Sequence, residues 1–258
     1  AYVRSKTKEK EVVGPLRDNS NQLVSDNEVM CEIFNEYFGS VFTSEDDTNA
    51  LPEVKIIFDK DSNHMLSKIE LTQDIIASKL SKLKINKAPG VDGIVPRFLV
   101  ENAEVLSIPL LCIYRKSLMS GIVPSDWKKA NVTAIFKKGD KSSSSNYRPV
   151  SLTSQVCKVL ESIVRDNILE HVREYKLIKE SQHGFLKRRS CLTNLLEFLE
   201  FVTNYIDQGY PIDVIYLDFQ KAFDKVPHKR LMRKINALGI KGEVFNWITD
   251  WLKDREQR

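Results

Sequence analysis

The stretch Val214–His228, VIYLDFQKAFDKVPH, decides how the rest of this chain is interpreted. Apolar residues lead into an acid, Asp218, and a basic, helix-prone segment follows directly. The near-continuous apolar character of Ile212–Asp218 predicts a strand that is buried on both faces. A carboxylate at the carboxyl end of such a strand lies where α/β sheets generally expose their reactive groups. With lysines nearby, we expect Asp218 to be ionised and to suit Mg²⁺ as a hard oxygen ligand.

Asp218 has two other interpretations. An isolated aspartate after a strand is more often a cap for the next helix, and Asp224 would then be an ordinary surface acid. A phosphotransferase that uses Asp218 as its nucleophile is the second alternative. Such enzymes usually carry another acid two residues later, where this chain has Gln220. The choice among these roles depends on the surrounding sequence.

The composition is typical of a globular protein. Of the 258 residues, 42% are hydrophobic and 29% are charged, which excludes a disordered or fibrous chain. No apolar run approaches the roughly 20 residues that a membrane-spanning helix needs, and AYVRSKTKEK at the start is too polar for a signal peptide. The four cysteines fit no metal-binding spacing, so we expect reduced thiols and an intracellular protein.

Basic residues form short clusters beside the apolar segments. They are Lys128-Lys129, Lys137-Lys138, Lys187–Arg189 and Lys229-Arg230. A single cluster of this kind is usually a solvated surface, and the net charge of +4 is mild. Four clusters that flank apolar segments favour a polyanionic partner such as a nucleic acid.

The apolar periodicity predicts a helix-rich α+β protein with few strands. Helices are expected to begin at about Ser25, at Thr72, at Pro96 and at Pro227. Another helix is expected to end at Gly121, and further helices are expected over residues 153–172, over residues 192–207 and around Trp247. We expect Ser107–Pro109 to divide the helical region that follows Pro96. The composition of Asn131–Phe136 predicts a second strand, and residues 1–20 read as a charged linker.

Four segments, in this order, resemble motifs of reverse transcriptases from non-LTR (LINE-type, jockey/CR1-like) retrotransposons. They are KAPGVDGI (Lys87–Ile94), WKKANVTAIFKKGDKSSSSNYRPVSL (Trp127–Leu152), QHGFLKRRS (Gln182–Ser190) and DFQKAFDKVPH (Asp218–His228). Each segment alone is a weak to moderate signal, but four in order are specific. The resemblance extends from about Lys82 to Arg258.

The resemblance implies a right-hand polymerase fold in incomplete form, with the fingers and the first part of the palm and without the thumb. Residues 1–70 would be an N-terminal extension similar to the connector that follows an endonuclease in related polyproteins. Residues 71–195 would be the fingers region, and residues 196–258 would be the first part of the palm with its first catalytic motif.

The resemblance also implies a chemistry, in which DNA is copied from an RNA template by attack of a DNA primer 3′-hydroxyl on a dNTP. Two Mg²⁺ ions, or Mn²⁺ as an alternative, would assist this attack. Asp218 matches the first metal-binding acid, and the backbone carbonyl of Phe219 would contribute to the same ion. Phe223 matches the aromatic residue that excludes a ribose 2′-hydroxyl, although without the motif it reads equally as a core phenylalanine.

Further residues match positions that contact nucleotide or template. Arg148 and either Lys137 or Lys138 match the basic residues that hold the triphosphate. The template and primer path is matched by Gln182, Gly184, Phe185, Arg189 and Ser190. His183 is expected to be hydrogen-bonded scaffolding rather than a general base, and His228 to lie at the start of its helix.

The other catalytic acids of this family lie in an aromatic-Ala-Asp-Asp motif, and no adjacent pair of acids follows Asp218. We therefore expect the chain alone to have negligible polymerase activity. Two alternatives stay open: a non-catalytic remnant that binds nucleic acid, and a helical scaffold with decayed motifs. The family also predicts an upstream endonuclease domain, no membrane partner, and a product found in nucleus and cytoplasm.

Overall fold

The computed structural model describes residues 13–45, 54, 58 and 60–258. These residues form eight α-helices and five strands. The helices are α1 (Asn27–Ser40), α2 (Gln73–Ser81), α3 (Pro96–Glu101), α4 (Ala103–Ser120), α5 (Gln155–Glu174), α6 (Cys191–Asp207), α7 (His228–Ala237) and α8 (Gly242–Leu252). The strands are β1 (Leu16–Arg17), β2 (Leu23–Val24), β3 (Lys129–Phe136), β4 (Tyr147–Leu152) and β5 (Glu256–Gln257). The expectation of a helix-rich α+β protein is confirmed.

The starts predicted for the first two helices are confirmed by their caps. The carboxylate of Asp26 accepts hydrogen bonds from the backbone N–H groups of Glu28 and Val29, which starts α1. Thr72 caps α2 in the same way, because its hydroxyl accepts from the N–H of Ile75. Such side chains satisfy N–H groups that have no partner inside the helix. In the described part of the chain, no helix is both long and apolar enough to cross a membrane.

The main core packs α2, α4, α5 and α8 together, and its largest fully buried side chains include Trp247 and Tyr114. Both bury their rings and still pair their polar tips. The indole N–H of Trp247 donates to the Ser117 hydroxyl at 3.0 Å, and the Tyr114 hydroxyl donates to the Val156 carbonyl at 2.7 Å. This pairing matters because a buried polar group without a partner would destabilise the core.

A second core lies between α1 and the β3–β4 hairpin. Phe34 packs edge-on against Tyr147 with ring centroids 5.0 Å apart, and Leu16 of β1 is fully buried in the same cluster. The interpretation of residues 1–20 as a linker is therefore wrong from Val13 onward, while residues 1–12 lie outside the described residues. The two-residue strands β1 and β2 are too short to produce a periodic sequence signal.

The helical region after Pro96 divides at Asn102 and not at Ser107–Pro109. The Asn102 side-chain amide donates to the carbonyl of Phe98 at 2.9 Å and ends α3. Pro109 lies inside the continuous helix α4, where it cannot donate to the carbonyl four residues earlier, that of Val105. Both Pro109 and Val105 are exposed, so water can satisfy the freed carbonyl.

The strand predicted at Asn131–Phe136 is confirmed as the central strand, β3, of a three-stranded sheet with order β4-β3-β5. It pairs antiparallel with β4, from Phe136 opposite Tyr147 to Asn131 opposite Leu152. On its other edge it pairs parallel with β5, where Ala130 lies opposite Gln257. The antiparallel pair forms a hairpin whose connecting loop is residues 137–146.

The KAPGVDGI segment packs directly against the junction of β4 and α5. A Cβ atom added to Gly90 would lie 2.4 Å from the backbone nitrogen of Ser154 and 2.5 Å from the carbonyl carbon of Thr153. The side-chain amide of Gln155 donates to the carbonyl of Ala88 at 2.8 Å. The glycine in this motif is therefore required by a close backbone approach.

We expect Gly90→Ala to lower the free energy of unfolding by about 2 kcal/mol, because the added methyl group must displace backbone atoms of a packed junction. Urea denaturation of the purified chain measures this change. Gly14→Ala is the matched control, since no atom lies within 4 Å of its added Cβ. Equal stability of the two variants would contradict the close approach.

Candidate functional site

The stretch that carries Asp218 is not a strand. Residues 211–219 have no regular secondary structure, and Ile215, Tyr216 and Leu217 are 82%, 79% and 88% exposed. The prediction that Ile212–Asp218 forms a strand buried on both faces is therefore wrong. A strand requires a neighbour for its backbone N–H and C=O groups, and among the described strands none pairs with this stretch. Asp218 itself is exposed.

Two of the predicted motifs meet at a pair of exposed aromatic rings. Phe185 of the Gln182–Ser190 motif packs edge-on against Phe223, with ring centroids 6.0 Å apart. The two side chains are 87% and 80% exposed, so the interpretation of Phe223 as a core phenylalanine is wrong. This contact brings the segment that follows Asp218 beside the turn that was predicted to face the template.

The turn around Phe185 has an unusual backbone. Phe185 and Arg188 have φ values of +63° and +64°, in the left-handed region that bulky residues rarely adopt. The side-chain amide of Gln182 donates to the carbonyl of Gly184 at 3.2 Å, just before the first of these residues. Such conformations persist only where the surrounding structure holds them. The result is that Phe185 projects into solvent.

His183 is the buried anchor of this turn. Its Nδ1 atom lies 2.9 Å from the hydroxyl of Thr193, and its Nε2 atom lies 2.6 Å from the carboxylate of Glu197. The Arg189 guanidinium contacts the same Glu197 carboxylate at 3.3 Å. The expectation that His183 is scaffolding agrees with these contacts. The charge of Arg189, which was predicted to contact template, is partly neutralised by Glu197. Sequence periodicity could not reveal this pairing.

Ser190 ends the motif as the N-cap of α6. Its hydroxyl accepts from the N–H of Thr193 at 3.2 Å, and the Thr193 hydroxyl accepts from the N–H of Ser190 at 2.8 Å. This reciprocal arrangement is a capping box, which satisfies two N–H groups at the helix start. The structure thus gives Ser190 a local role in addition to any template contact.

The basic residues of the hairpin lie at its solvent side. Lys137 and Lys138 begin the loop after β3, and Arg148 lies on β4 opposite Ile135; all three basic side chains are exposed. Among the described residues, no hydrogen bond, ion pair or ring contact joins these three side chains to Asp218 or Phe223. The structure therefore presents these bases to solvent without bringing them into contact with the acid.

The hairpin loop is fixed by hydrogen bonds. The Asp140 carboxylate accepts from the N–H and the hydroxyl of Ser142, and these bonds lower the pKa of Asp140 below its usual value. The Asn146 side-chain amide donates to the Asp140 carbonyl at 2.9 Å. From β1, the N–H of Arg17 donates to the Ser142 carbonyl at 2.8 Å. The N-terminal residues thus help to shape the predicted nucleotide-facing loop.

The described residues do not by themselves fit a pair of metal ions. None of their His, Cys, Asp and Glu side chains form a group of three or more that could hold an ion. The predicted ligands, Asp218 and the carbonyl of Phe219, lie on the exposed irregular stretch. One carboxylate and one carbonyl leave most of the charge of two divalent ions unbalanced.

Sequence reasoning missed a group of residues in the N-terminal region. Tyr37, Thr43 and Glu45 contact the segment from Lys221 to Lys229, which directly follows Asp218. The signal that could have indicated Glu45 is the start of α7, where Pro227 offers no side-chain acceptor and the first turn holds no acid. A helix of this kind needs an acceptor from elsewhere.

We expect Ser190→Ala to lower the free energy of unfolding by about 1 kcal/mol, because the N-cap hydrogen bond is lost. Urea denaturation followed by circular dichroism measures the change. Ser190→Asp keeps an acceptor at the cap and should retain most of the stability. If both variants matched the unsubstituted chain, the capping role of Ser190 would be refuted.

Comparisons with known proteins agree with this arrangement of motifs. Residues 135–258 match the family described as reverse transcriptase (RNA-dependent DNA polymerase). The "probable RNA-directed DNA polymerase from transposon BS" of Drosophila melanogaster is 26% identical over 187 residues, which cover 70% of this chain and 20% of that protein. The RNA-directed DNA polymerase from mobile element jockey of the same species is 27% identical over 192 residues, with 72% and 20% covered.

A relative from another insect gives the same picture. The Pol polyprotein from a type-1 retrotransposable element of Popillia japonica is 29% identical over 167 residues, which cover 65% of this chain and 22% of that protein. The chain thus spans about a fifth of the length of the curated relatives it matches. The family match includes most of the β3–β4 hairpin, the turn around Phe185 and the stretch with Asp218. The chain is therefore similar over about 70% of its length to RNA-directed DNA polymerases of non-LTR retrotransposons, and its residues 135–258 match the reverse transcriptase (RNA-dependent DNA polymerase) family.

Proposed function

We propose that this chain contributes the first catalytic carboxylate and the surrounding nucleotide and template contacts of an RNA-directed DNA polymerase. The observation that supports this most is the contact between Phe185 and Phe223, at 6.0 Å between ring centroids. It brings two separate motifs of the family to one place on the surface. The substrates are an RNA template, a DNA primer and a dNTP.

In this proposal Asp218 and the carbonyl oxygen of Phe219 would hold one Mg²⁺ ion, with Mn²⁺ as an alternative. The acids, histidines and cysteines of the described residues form no group of three or more that could hold an ion, so a two-ion centre would need side chains from outside those residues. Bound divalent ions would stabilise the charge that develops on the phosphate. Asp218 is exposed and is therefore accessible to an ion and a nucleotide.

The basic hairpin would hold the triphosphate. Arg148 is the stronger candidate, because a planar guanidinium binds phosphate oxygens through two parallel hydrogen bonds. Lys137 or Lys138 would add charge from the loop. Phe223, with its exposed ring, would exclude the ribose 2′-hydroxyl of a ribonucleotide. The polymerase fold would assign residues 71–195 to the fingers and 196–258 to the first part of the palm.

The turn at Gln182–Ser190 would guide the template. Gly184 permits a close approach of the strand, Phe185 offers an exposed ring for a base, and Arg189 offers charge for a phosphate. Gln182 supports the turn through its hydrogen bond to Gly184. Because Arg189 already pairs with Glu197, the phosphate would compete with that carboxylate for the guanidinium.

A second candidate function is nucleic-acid binding without catalysis. The observation that favours it is that no group of three or more acids, histidines or cysteines among the described residues could hold a metal ion. The exposed bases and rings would then bind a polyanion through charge and stacking alone. Catalysis and binding make different predictions for the isolated chain.

We expect the isolated chain to show negligible Mg²⁺-dependent primer extension on an RNA template, because one carboxylate is a poor site for two ions. Gel analysis of a labelled primer with purified protein measures extension. Asp218→Ala is the control variant. Extension by the unsubstituted chain that disappears in Asp218→Ala would overturn the expected inactivity and establish a working centre.

We expect the chain to bind an RNA–DNA hybrid, and Arg148→Ala combined with Arg189→Ala to weaken that binding. Loss of two phosphate contacts should lower the slope of log affinity against log salt by about 2. Fluorescence anisotropy over a salt series measures both quantities. Arg97→Ala combined with Arg173→Ala removes the same charge elsewhere and serves as the control. Equal affinities of the two double variants would favour the helical scaffold.

A further inference from the structure

The segment that follows Asp218 is held by the N-terminal region of the chain. The ammonium group of Lys221 donates to the hydroxyl of Tyr37 at 2.6 Å. The hydroxyl of Thr43 donates to the carbonyl of Lys225 at 3.1 Å. These partners lie 184 and 182 residues apart in the sequence. The contacts join the end of α1 and the residues after it to the motif segment.

Lys221 makes the first contact from an unusual backbone position. Its φ value is +50°, so the chain turns sharply directly after the exposed stretch. Its ammonium group also lies 4.3 Å from the centroid of the Tyr37 ring, which is a cation–π geometry. Tyr37 thus binds the same side chain through its hydroxyl and its ring, where a left-handed residue needs support.

The second contact supports a closed turn. The N–H of Lys225 donates to the carbonyl of Lys221 at 3.1 Å, so residues 221–225 form one turn of chain that contains Phe223. Thr43 binds the carbonyl at the end of this turn. The Phe223 ring is therefore carried on a turn whose first and last residues both contact the N-terminal region.

The third contact starts helix α7. Its first residues, His228, Lys229 and Arg230, include two strong bases at the helix end where the dipole is positive. Glu45 offsets this unfavourable positive charge, because its two carboxylate oxygens lie 2.9 and 3.2 Å from the backbone nitrogen of Lys229. A carboxylate at this position accepts from a backbone N–H group of the first helical turn and stabilises the helix start.

We propose that Tyr37, Thr43 and Glu45 are positioning residues of the polymerase site. They hold the segment from Lys221 to Lys229 and thereby fix where Phe223 and the neighbouring Asp218 are presented. The residues just before Lys221 have no strand partner among the described residues, so these contacts replace the support that a sheet would give. The inference rests on the proposed roles of Asp218 and Phe223.

The first test measures how firmly the segment is held in the 258-residue chain. We expect Tyr37→Leu combined with Glu45→Leu to raise the rate of trypsin cleavage after Lys221 and Lys225 about tenfold. Cleavage after Lys82 is the internal reference for global unfolding and should not change. Glu180→Leu is the control for loss of an exposed acid. Unchanged cleavage after Lys221 and Lys225 would overturn the proposal.

The second test separates positioning from charge. Glu45→Leu and Glu45→Gln remove the same charge, but glutamine keeps an oxygen that can accept from the N–H of Lys229. We expect hydrogen exchange of that N–H to accelerate in Glu45→Leu and to be largely restored in Glu45→Gln. We also expect Glu45→Leu to bind an RNA–DNA hybrid about fivefold more weakly than Glu45→Gln. Equal affinities would reduce the contact to a purely structural one and refute positioning.

The outcomes distinguish this inference from the proposed function. Proteolysis and hydrogen exchange need no nucleic acid, so they report on the contacts even if the chain binds no hybrid. If the unsubstituted chain fails to bind hybrid, the proposed function fails and positioning of that site fails with it, whatever the cleavage rates. If hybrid binds and the Tyr37 and Glu45 variants bind it equally well, the inference alone fails.

Discussion

The start of helix α5 is the junction on which the rest of the structure depends. There the backbone of Thr153 and Ser154 touches Gly90, the side chain of Gln155 reaches the carbonyl of Ala88, and the Val156 carbonyl accepts from Tyr114 of the main core. The β3–β4 hairpin ends at the same point. One motif of the family, its hairpin and the largest core are thus fixed to each other through a few backbone atoms.

The helices could be predicted from the sequence because each one depends mainly on its own periodicity and caps. Residues such as Ile76 and Leu80 of α2, or Leu160 and Ile163 of α5, carry the information within a few turns. The stretch Ile212–Asp218 could not be predicted in this way. Its composition favours a strand, but a strand forms only when a neighbouring strand pairs with its backbone N–H and C=O groups. The prediction that Ser107–Pro109 divides the helical region is wrong for a related reason. A helix tolerates an internal proline where the freed carbonyl faces water, and this depends on which side of α4 is exposed.

In the candidate site, too, local contacts could be predicted from the sequence and contacts between separate parts of the chain could not. Motif matching found His183, Ser190 and Phe223, and the structure explains the first two as an anchor and a cap. It could not find Glu197 as the partner of Arg189, nor Glu45 as the cap of α7, because those contacts join separate parts of the chain. Residues of a motif can therefore have structural roles beside the substrate contacts proposed for that motif. A loss of function at Ser190 or Gly90 would not by itself indicate a substrate contact.

The contact between Tyr37 and Lys221, 184 residues apart, has a consequence for the order of events during synthesis. At about 5–20 residues per second, a ribosome needs roughly 10–40 seconds to make the chain between them. Helix α1 is therefore synthesised long before the segment it supports, and Phe34 is likewise synthesised long before its partner Tyr147. Contacts with large sequence separation form late and slowly. The contact between Tyr37 and Lys221 accordingly forms only after the intervening residues have been synthesised, so the support of the segment that follows Asp218 is a late step relative to the formation of α1.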